Sequence, residues 1–199
     1  KVTRVAPSPT GYLHLGTLYV SLICRITAGN DGIFYVRIED TDKKREVEGG
    51  VDNILNGLYD FGVIPDEGYT LNGEVGDYAP YKQSERGKIY RAFAKKLVAE
   101  GLAYPCFCTA EELAEVREEQ EAKKEKTGYY GKYAKHRDIT PEQAKELIEK
   151  GLPFTVRLKS SGDESNKIIV EDLIKGKIEM PQNDEDFVIL KSDGIPTYH

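Results

Sequence analysis

The sequence predicts an α/β protein organised on a parallel sheet, with a mixed α+β segment inserted into it. Three observations carry this reading. Strand-like and helix-like segments alternate strand, helix, strand, helix within about sixty residues, as in a parallel sheet with crossover helices. Turn-rich or glycine-bearing stretches punctuate them, namely Ala6-Pro7-Ser8-Pro9-Thr10-Gly11, Gly29 and Gly62. After Tyr81 the character changes to charged helical stretches followed by short strand-like runs, so residues 83–191 read as the inserted segment.

In chain order, residues 2–5 (Val-Thr-Arg-Val) read as a short buried strand. A helix starts near Gly16-Thr17, carries Leu18, Leu22 and Ile26 on one side, and stops at Gly29. Ile33 to Ile38, rich in aromatic and β-branched residues, form the next strand. Val51, Ile54, Leu55, Leu58 and Phe61 mark an amphipathic helix that ends at Gly62. Right-handed crossovers then place both helix N-termini at one end of the sheet, where ligands bind. Ser84 is placed to cap a helix carrying Ile89, Phe93 and Leu97 and stopped by Gly101. Thr109 with Glu112 forms a capping box that opens the charged stretch from Glu111 to Lys126, read as a solvated helix. Thr140-Pro141-Glu142-Gln143 opens another helix, closed by Gly151. Strand-like segments follow at Phe154–Leu158, Lys167–Val170 and Phe187–Lys191, and no internal repeat is visible.

Composition narrows the function classes. The 199 residues are 39% hydrophobic and 31% charged, which is globular. No apolar run approaches a membrane span, and the N-terminus lacks signal-peptide architecture, so the expected location is cytoplasmic with no membrane partner. Of the three cysteines, Cys24 stands alone, while Cys106 and Cys108 are too close for an ordinary disulfide framework. The net charge of −6 counts mildly against a nucleic-acid binder, although local patches set affinity.

The most informative segment runs from Arg4 to Thr17: a strand, a stiff proline-bearing turn and a helix N-terminus. Free N–H groups and the helix dipole make such a terminus an anion site. His14 can donate to a phosphate oxygen, Gly16 lets a nucleotide approach the backbone, and Thr17 adds a hydroxyl. Taken alone, a histidine before a helix is more often a cap or a surface residue.

Together these residues resemble a known pattern. His14-Leu15-Gly16-Thr17 resembles the His-x-Gly-His signature of class I aminoacyl-tRNA synthetases, with Thr17 at the second histidine. Arg4-x-Ala6-Pro7-Ser8-Pro9-Thr10-Gly11 resembles the form found in bacterial glutamyl-tRNA synthetases. The resemblance continues in order through Arg37-Ile38-Glu39-Asp40-Thr41-Asp42, Tyr81-Lys82-Gln83-Ser84-Glu85-Arg86 and Asp193-Gly194-Ile195-Pro196-Thr197-Tyr198-His199, and so covers the whole chain. It implies a Rossmann-like catalytic domain whose first half is 1–82, an inserted acceptor-stem-binding domain at 83–191, and the start of the second half at 192–199. The implied reaction is ATP-dependent ligation of L-glutamate to tRNA(Glu) through a glutamyl-adenylate, with Mg2+ accompanying ATP, activation dependent on bound tRNA, and a monomeric enzyme.

A glutamate substrate brings two carboxylates and an ammonium, each needing an opposite charge where water is excluded. Arg4 can grip a carboxylate, Glu39 can accept from the ammonium and Ser8 adds a hydroxyl. The resemblance implies these roles, adds Ala6 and Tyr198 to the glutamate site, and assigns Thr10, His14, Gly16 and Thr17 to ATP, with His14 and Thr17 catalytic. The plainer reading leaves Arg37 to Asp40 as alternating strand residues and Arg4 as an edge residue. Lys43, Lys44 and Arg45 suit the phosphates of an RNA end or a solvated loop. Cys106-x-Cys108 has the spacing of a metal-ligand pair. The resemblance implies a zinc site here, as in many members of the family, with a second ligand pair further along; this sequence has no second cysteine pair, and His136 and Tyr133 are the candidate partners, against two cysteines that simply pack.

No stretch after Val51 matches the lysine loop that is the second class I signature, and no anticodon-binding region is present, so the expectation is a fragment inactive alone. The rival readings are a shorter relative that glutamylates a modified tRNA base, a glutaminyl enzyme, and a non-catalytic nucleotide- or RNA-binding module.

Overall fold

A computed structural model describes residues 1–197; Tyr198, placed above in the glutamate site, lies outside them. The described chain divides into two compact units, Lys1–Ile89 and Tyr90–Thr197.

The first unit is built on β1 (Val2–Val5), α1 (Leu15–Ala28), β2 (Ile33–Val36), α2 (Gly50–Asp60), β3 (Glu67–Thr70) and β4 (Gly73–Val75). The sheet order is β1-β2-β3-β4, with β1, β2 and β3 parallel and β4 antiparallel. The α/β class read from the sequence is the one observed. One face of the sheet presents Val5, Phe34, Val36 and Ile38 to Ile54, Leu55 and Leu58 of α2 and to Val63. Full burial of each such side chain contributes about 1.5–3 kcal/mol.

Local chemistry explains the departures. The sequence places Leu18, Leu22 and Ile26 on the inner side of α1; Leu18 does pack against the core, but Leu22 is 42% and Ile26 65% exposed. The buried positions are Ser21 and Ala28, with Cys24 packed beside them, so small residues let the helix lie close to the sheet. Phe61 likewise turns outward, because it is the C-cap of α2 rather than part of its inner stripe. β2 stops at Val36, and Ile38 instead makes an isolated parallel bridge to Lys82. β3 carries no run of branched residues, which hid it. Its Gly68 has φ 101°, and a Cβ there would lie 2.2 Å from the Val36 carbonyl oxygen, so only glycine fits.

A 3-10 turn, Gln83–Arg86, leads into α3 (Gly87–Ala99). Ser84 does not cap this helix; its hydroxyl and amide both donate to Asp40. The second unit contains β5 (Ala103–Cys106), α4 (Ala110–Ala122), α5 (Pro141–Glu149), β6 (Thr155–Leu158), β7 (Lys167–Asp172), β8 (Gly176–Pro181) and β9 (Val188–Leu190). Both capping boxes are present, at Thr109 with Glu112 and at Thr140 with Gln143. β5, β6 and β9 form an antiparallel sheet and β7 pairs with β8 as a hairpin. Pro105 disguised β5, and it is tolerated because β5 is an edge strand. Among the described residues no helix is long and apolar enough to cross a membrane.

Candidate active site

The loop between β1 and α1 alternates burial residue by residue. Pro7 and Pro9 are buried while Ser8 and Thr10 are exposed. The Pro7 carbonyl accepts from Glu39 N–H at 3.0 Å and the Pro9 carbonyl from Val47 N–H at 2.8 Å, so the loop is pinned to the segment after β2. Its far end is bolted to α2. Leu13 N–H donates to Asn53 at 2.9 Å, and the Leu13 side chain fills the notch at Gly57, where a Cβ would lie 2.3 Å from Leu13 Cδ2.

His14 is the N-cap of α1. Its Nδ1 accepts from the Thr17 amide at 3.4 Å, and its Nε2 lies 3.2 Å from the Thr17 hydroxyl. An Nδ1 that accepts leaves the ring proton of a neutral imidazole on Nε2, the donor a phosphate oxygen needs. A Cβ on Gly16 would lie 3.1 Å from the His14 ring, so the glycine makes room for the cap. The first turn of α1 holds no acidic residue, which leaves the positive end of the helix dipole uncompensated.

Glu39 follows β2 and is only 6% exposed. Its Oε1 accepts from Arg37 Nε at 2.9 Å and lies 2.7 Å from Arg37 Nη2; Arg4 Nη1 is 3.6 Å from the same oxygen. The Arg4 side chain is 40% exposed and that of Arg37 26%. Two guanidinium groups and one buried carboxylate therefore stand at the carboxyl ends of β1 and β2, where parallel sheets bind ligands.

Beside them Asp40 is fully enclosed. Burial alone would raise its carboxyl, but hydrogen bonds from the Ser84 hydroxyl and amide and from Lys43 outweigh that and hold it below the usual carboxylate value. Lys43 is shared between Asp40 at 2.9 Å and Glu46 at 2.8 Å, and Arg45 pairs with Asp42 at 2.6 Å. Of the three basic residues read as an RNA contact, two are thus engaged locally, while Lys44 is exposed.

In the second unit Cys106, Cys108 and His136 bring their donor atoms within 4.8 Å of one another. His136 Nδ1 is 3.8 Å from Cys106 Sγ and 3.4 Å from Cys108 Sγ. The Tyr129 hydroxyl adjoins this group, 3.3 Å from Cys106 Sγ and 3.4 Å from Cys108 Sγ. Tyr133 is not part of the cluster: it ends a 3-10 turn that sends its hydroxyl 2.7 Å to Glu125. Two thiols and an imidazole are donor types that suit zinc, and the His136–sulfur separations of 3.4 and 3.8 Å lie near the edge lengths of a tetrahedron whose metal bonds are about 2.0–2.3 Å. Burial lowers the His136 imidazole, and Lys135 adds to this, favouring the neutral form a metal requires, whereas burial raises the Cys108 thiol and the Tyr129 phenol, favouring their protonated forms while no metal is bound. A buried knot holds the surrounding segments. Asp186 accepts from Tyr104 at 2.7 Å, from the Ser160 amide at 2.8 Å and from Arg137, while Arg157 lies 3.9 Å over the Tyr129 ring.

The model of the catalytic domain of class I tRNA synthetases (E and Q) matches residues 1–199. The chain belongs to this family. The synthetase domain is 52% identical over 201 residues to the glutamate–tRNA ligase of Clostridium perfringens (strain 13 / Type A), covering 100% of this chain and 37% of that protein. It is 44% identical over 198 residues to the glutamate–tRNA ligase of Bacillus subtilis, covering 98% of this chain and 39% of that one. A crystal structure of a glutamate tRNA ligase from Elizabethkingia meningosepticum, in complex with its amino acid, superposes with a TM-score of 0.84 at 37% identity, over 100% of this chain and 40% of that chain. The synthetase domain thus spans roughly two fifths of the length of these relatives.

Of the residues singled out by sequence, the structure brings Arg4 to Glu39, joins His14, Gly16 and Thr17 in one cap, and joins Cys106, Cys108 and His136. Ser8 and Thr10 share the loop that leads to the cap, and Ala6 lies half-buried at its start. Sequence reasoning missed Arg37 and Tyr129 as partners. The i, i+2 spacing of Arg37 and Glu39, which puts side chains of an extended segment on one face, could have pointed to the first. Tyr129 is one of three tyrosines in Gly128-Tyr129-Tyr130-Gly131-Lys132-Tyr133, and spacing alone does not choose among them.

Proposed function

We propose that the protein carrying this synthetase domain activates L-glutamate with ATP and transfers it to the 3′ end of tRNA(Glu), acting as a monomer. The observation that carries this reading is the Arg4–Glu39–Arg37 group on the sheet that also supports the uncompensated, His14-capped N-terminus of α1. Such a set suits a zwitterion with an extra carboxylate beside a polyphosphate. The glutamate α-carboxylate attacks the α-phosphorus of ATP, forming the carboxyl–phosphate bond as the bond to pyrophosphate breaks. The 3′-terminal ribose hydroxyl of tRNA then displaces AMP from the adenylate.

Positioning and charge neutralisation dominate such chemistry. His14 Nε2–H and the first amides of α1 would meet charge developing on the α-phosphate, with Thr10, Gly16 and Thr17 lining the nucleotide path. Arg4 would pair with the side-chain carboxylate, assisted by Tyr198, and Glu39 with the ammonium, with Ala6 and Ser8 beside them. Magnesium would arrive with the ATP phosphates, and zinc would be held by Cys106, Cys108, His136 and Tyr129 as a structural brace. Residues 83–191 would cradle the acceptor stem, and Lys44 is the best placed of the loop cations to meet RNA. The test is glutamate-dependent ATP–pyrophosphate exchange by the full-length protein with and without tRNA(Glu). Exchange that requires both glutamate and tRNA is expected. Exchange driven by a different amino acid, or by none, would overturn the reading.

A further inference from the structure

Arg37 belongs to the charged group at the site but has been given no substrate atom to meet, yet it makes the tightest contacts to Glu39. Arg37 Nε donates to Oε1 at 2.9 Å and Nη2 is 2.7 Å from the same oxygen, whereas Arg4 stands off at 3.6 Å. A fork-to-fork pair would use one N–H for each carboxylate oxygen and would satisfy Glu39 completely. Here both contacts of Arg37 fall on one oxygen, and none of the hydrogen bonds or ion pairs of Glu39 described above falls on Oε2.

A buried carboxylate with no partner is strongly disfavoured, and one paired on both edges has little left for a ligand. The arrangement lies between these limits. Arg37 sits two residues before Glu39 in extended chain, so both side chains leave the same face. The backbone there is fixed too: Arg37 N–H donates to the Val5 carbonyl and Glu39 N–H to the Pro7 carbonyl, both at 3.0 Å. Arg4, more exposed and more loosely held, remains available to a substrate carboxylate.

We propose that Arg37 is a positioning residue for glutamate: it holds Glu39 by Oε1 and so reserves Oε2 for the substrate ammonium. This rests on the proposed glutamate site and divides the work of its two arginines. Arg4 reads the substrate, and Arg37 reads Glu39.

The test compares two acids on the full-length protein. L-Glutamate carries the ammonium; glutarate keeps both carboxylates and lacks it. Dissociation constants by calorimetry, or inhibition constants in the exchange assay, are measured for wild type, Arg37→Gln, Arg37→Lys, Glu39→Gln and the Arg37→Gln/Glu39→Gln double variant. Arg37→Gln is expected to weaken L-glutamate roughly tenfold to a hundredfold, the range for a hydrogen bond to a charged group. It should leave glutarate within about threefold and the KM for ATP unchanged, and Arg37→Lys should restore part of the loss. The double variant should bind glutamate no worse than Glu39→Gln alone, because residues acting through one another are not additive. Glutarate binding also reports that the variant site is folded; if Arg37→Gln does not fold, Arg37→Lys supplies the same two-acid comparison.

Equal losses for both acids would mean that Arg37 touches a substrate carboxylate or merely supports the fold, and would overturn the inference alone. Additive losses in the double variant would do the same. Wild-type protein that binds no L-glutamate would overturn the proposed function, and this inference with it.

Discussion

His14 combines two duties that substitution can separate. As N-cap its ring satisfies the Thr17 amide; as donor its Nε2–H is the group proposed to meet phosphate. His14→Ala removes both. It is expected to cost about 1 kcal/mol of stability through the lost cap and about a hundredfold in activation rate, with glutamate affinity little changed. His14→Asn keeps a good cap and loses the imidazole donor, so its melting temperature should stay near wild type while the rate still falls. A rate within twofold of wild type in either variant would remove His14 from the chemistry. Arg4→Gln tests specificity instead. A guanidinium satisfied by a carboxylate meets a clashing amide group on a carboxamide, a mismatch worth about 10⁴-fold in sites built this way. The ratio of kcat/KM for glutamate over glutamine should collapse; an unchanged ratio would place the reader elsewhere. These residues were legible because strand, proline turn and helix start impose a fixed geometry on them. Tyr129 was not, because a tyrosine hydroxyl becomes a ligand through the fold of its turn, and Tyr133 had equal claim in one dimension. Metal analysis of protein purified without an affinity tag should find one zinc per chain, lost in Cys106→Ser and weakened in Tyr129→Phe but not in Tyr133→Phe.

Among the elements, α1 shows where periodicity runs out. Thr17, Ser21, Cys24 and Ala28 recur at helical spacing, and so do Leu15, Tyr19, Leu22 and Ile26 on the opposite side. With hydroxyl and other small residues on one side and large apolar ones on the other, the stripe of larger residues looks like the core, yet the smaller one packs against the sheet. Close approach of helix to strand decides this, and no count of apolar residues reports it. α2, apolar on one side only, was read correctly through Ile54, Leu55 and Leu58. Asp40 joins the segment after β2 to the turn before α3 through Ser84 and Lys43. Its carboxyl sits below its ordinary value of 3.8 in the folded protein, so the unfolded chain binds the proton first as pH falls. The stability it supplies is full above about pH 4 and is lost as pH drops through the lower, folded value. Asp40→Asn should cost about 1.5–3 kcal/mol at pH 7, the range for hydrogen bonds to a charged group. It should also show a shallower loss of stability between pH 7 and 3 than wild type in urea titrations; parallel curves would show that Asp40 does not carry the acid sensitivity.

At the scale of the whole molecule, the outer stripe of α1, with Val20 and Ile23 beside it, forms an apolar surface of the kind that monomers rarely leave uncovered. The 199-residue polypeptide prepared by itself should therefore associate as its concentration rises, and Tyr19→Lys with Ile26→Glu should suppress this in light scattering. Association unaffected by that pair would assign the behaviour to another surface. The division of the chain into two units has a separate consequence in calorimetry. The proposed zinc donors all lie in the second unit, and the parallel sheet with its proline-pinned loop lies in the first. A bound ion lends its free energy only to the part that is built around it. Heating should then give two heat-absorption peaks rather than one, with EDTA moving only one of them to lower temperature. A single melting point quoted for this chain would then merge two transitions, and a variant that shifts one peak would report which half of the sequence it had weakened.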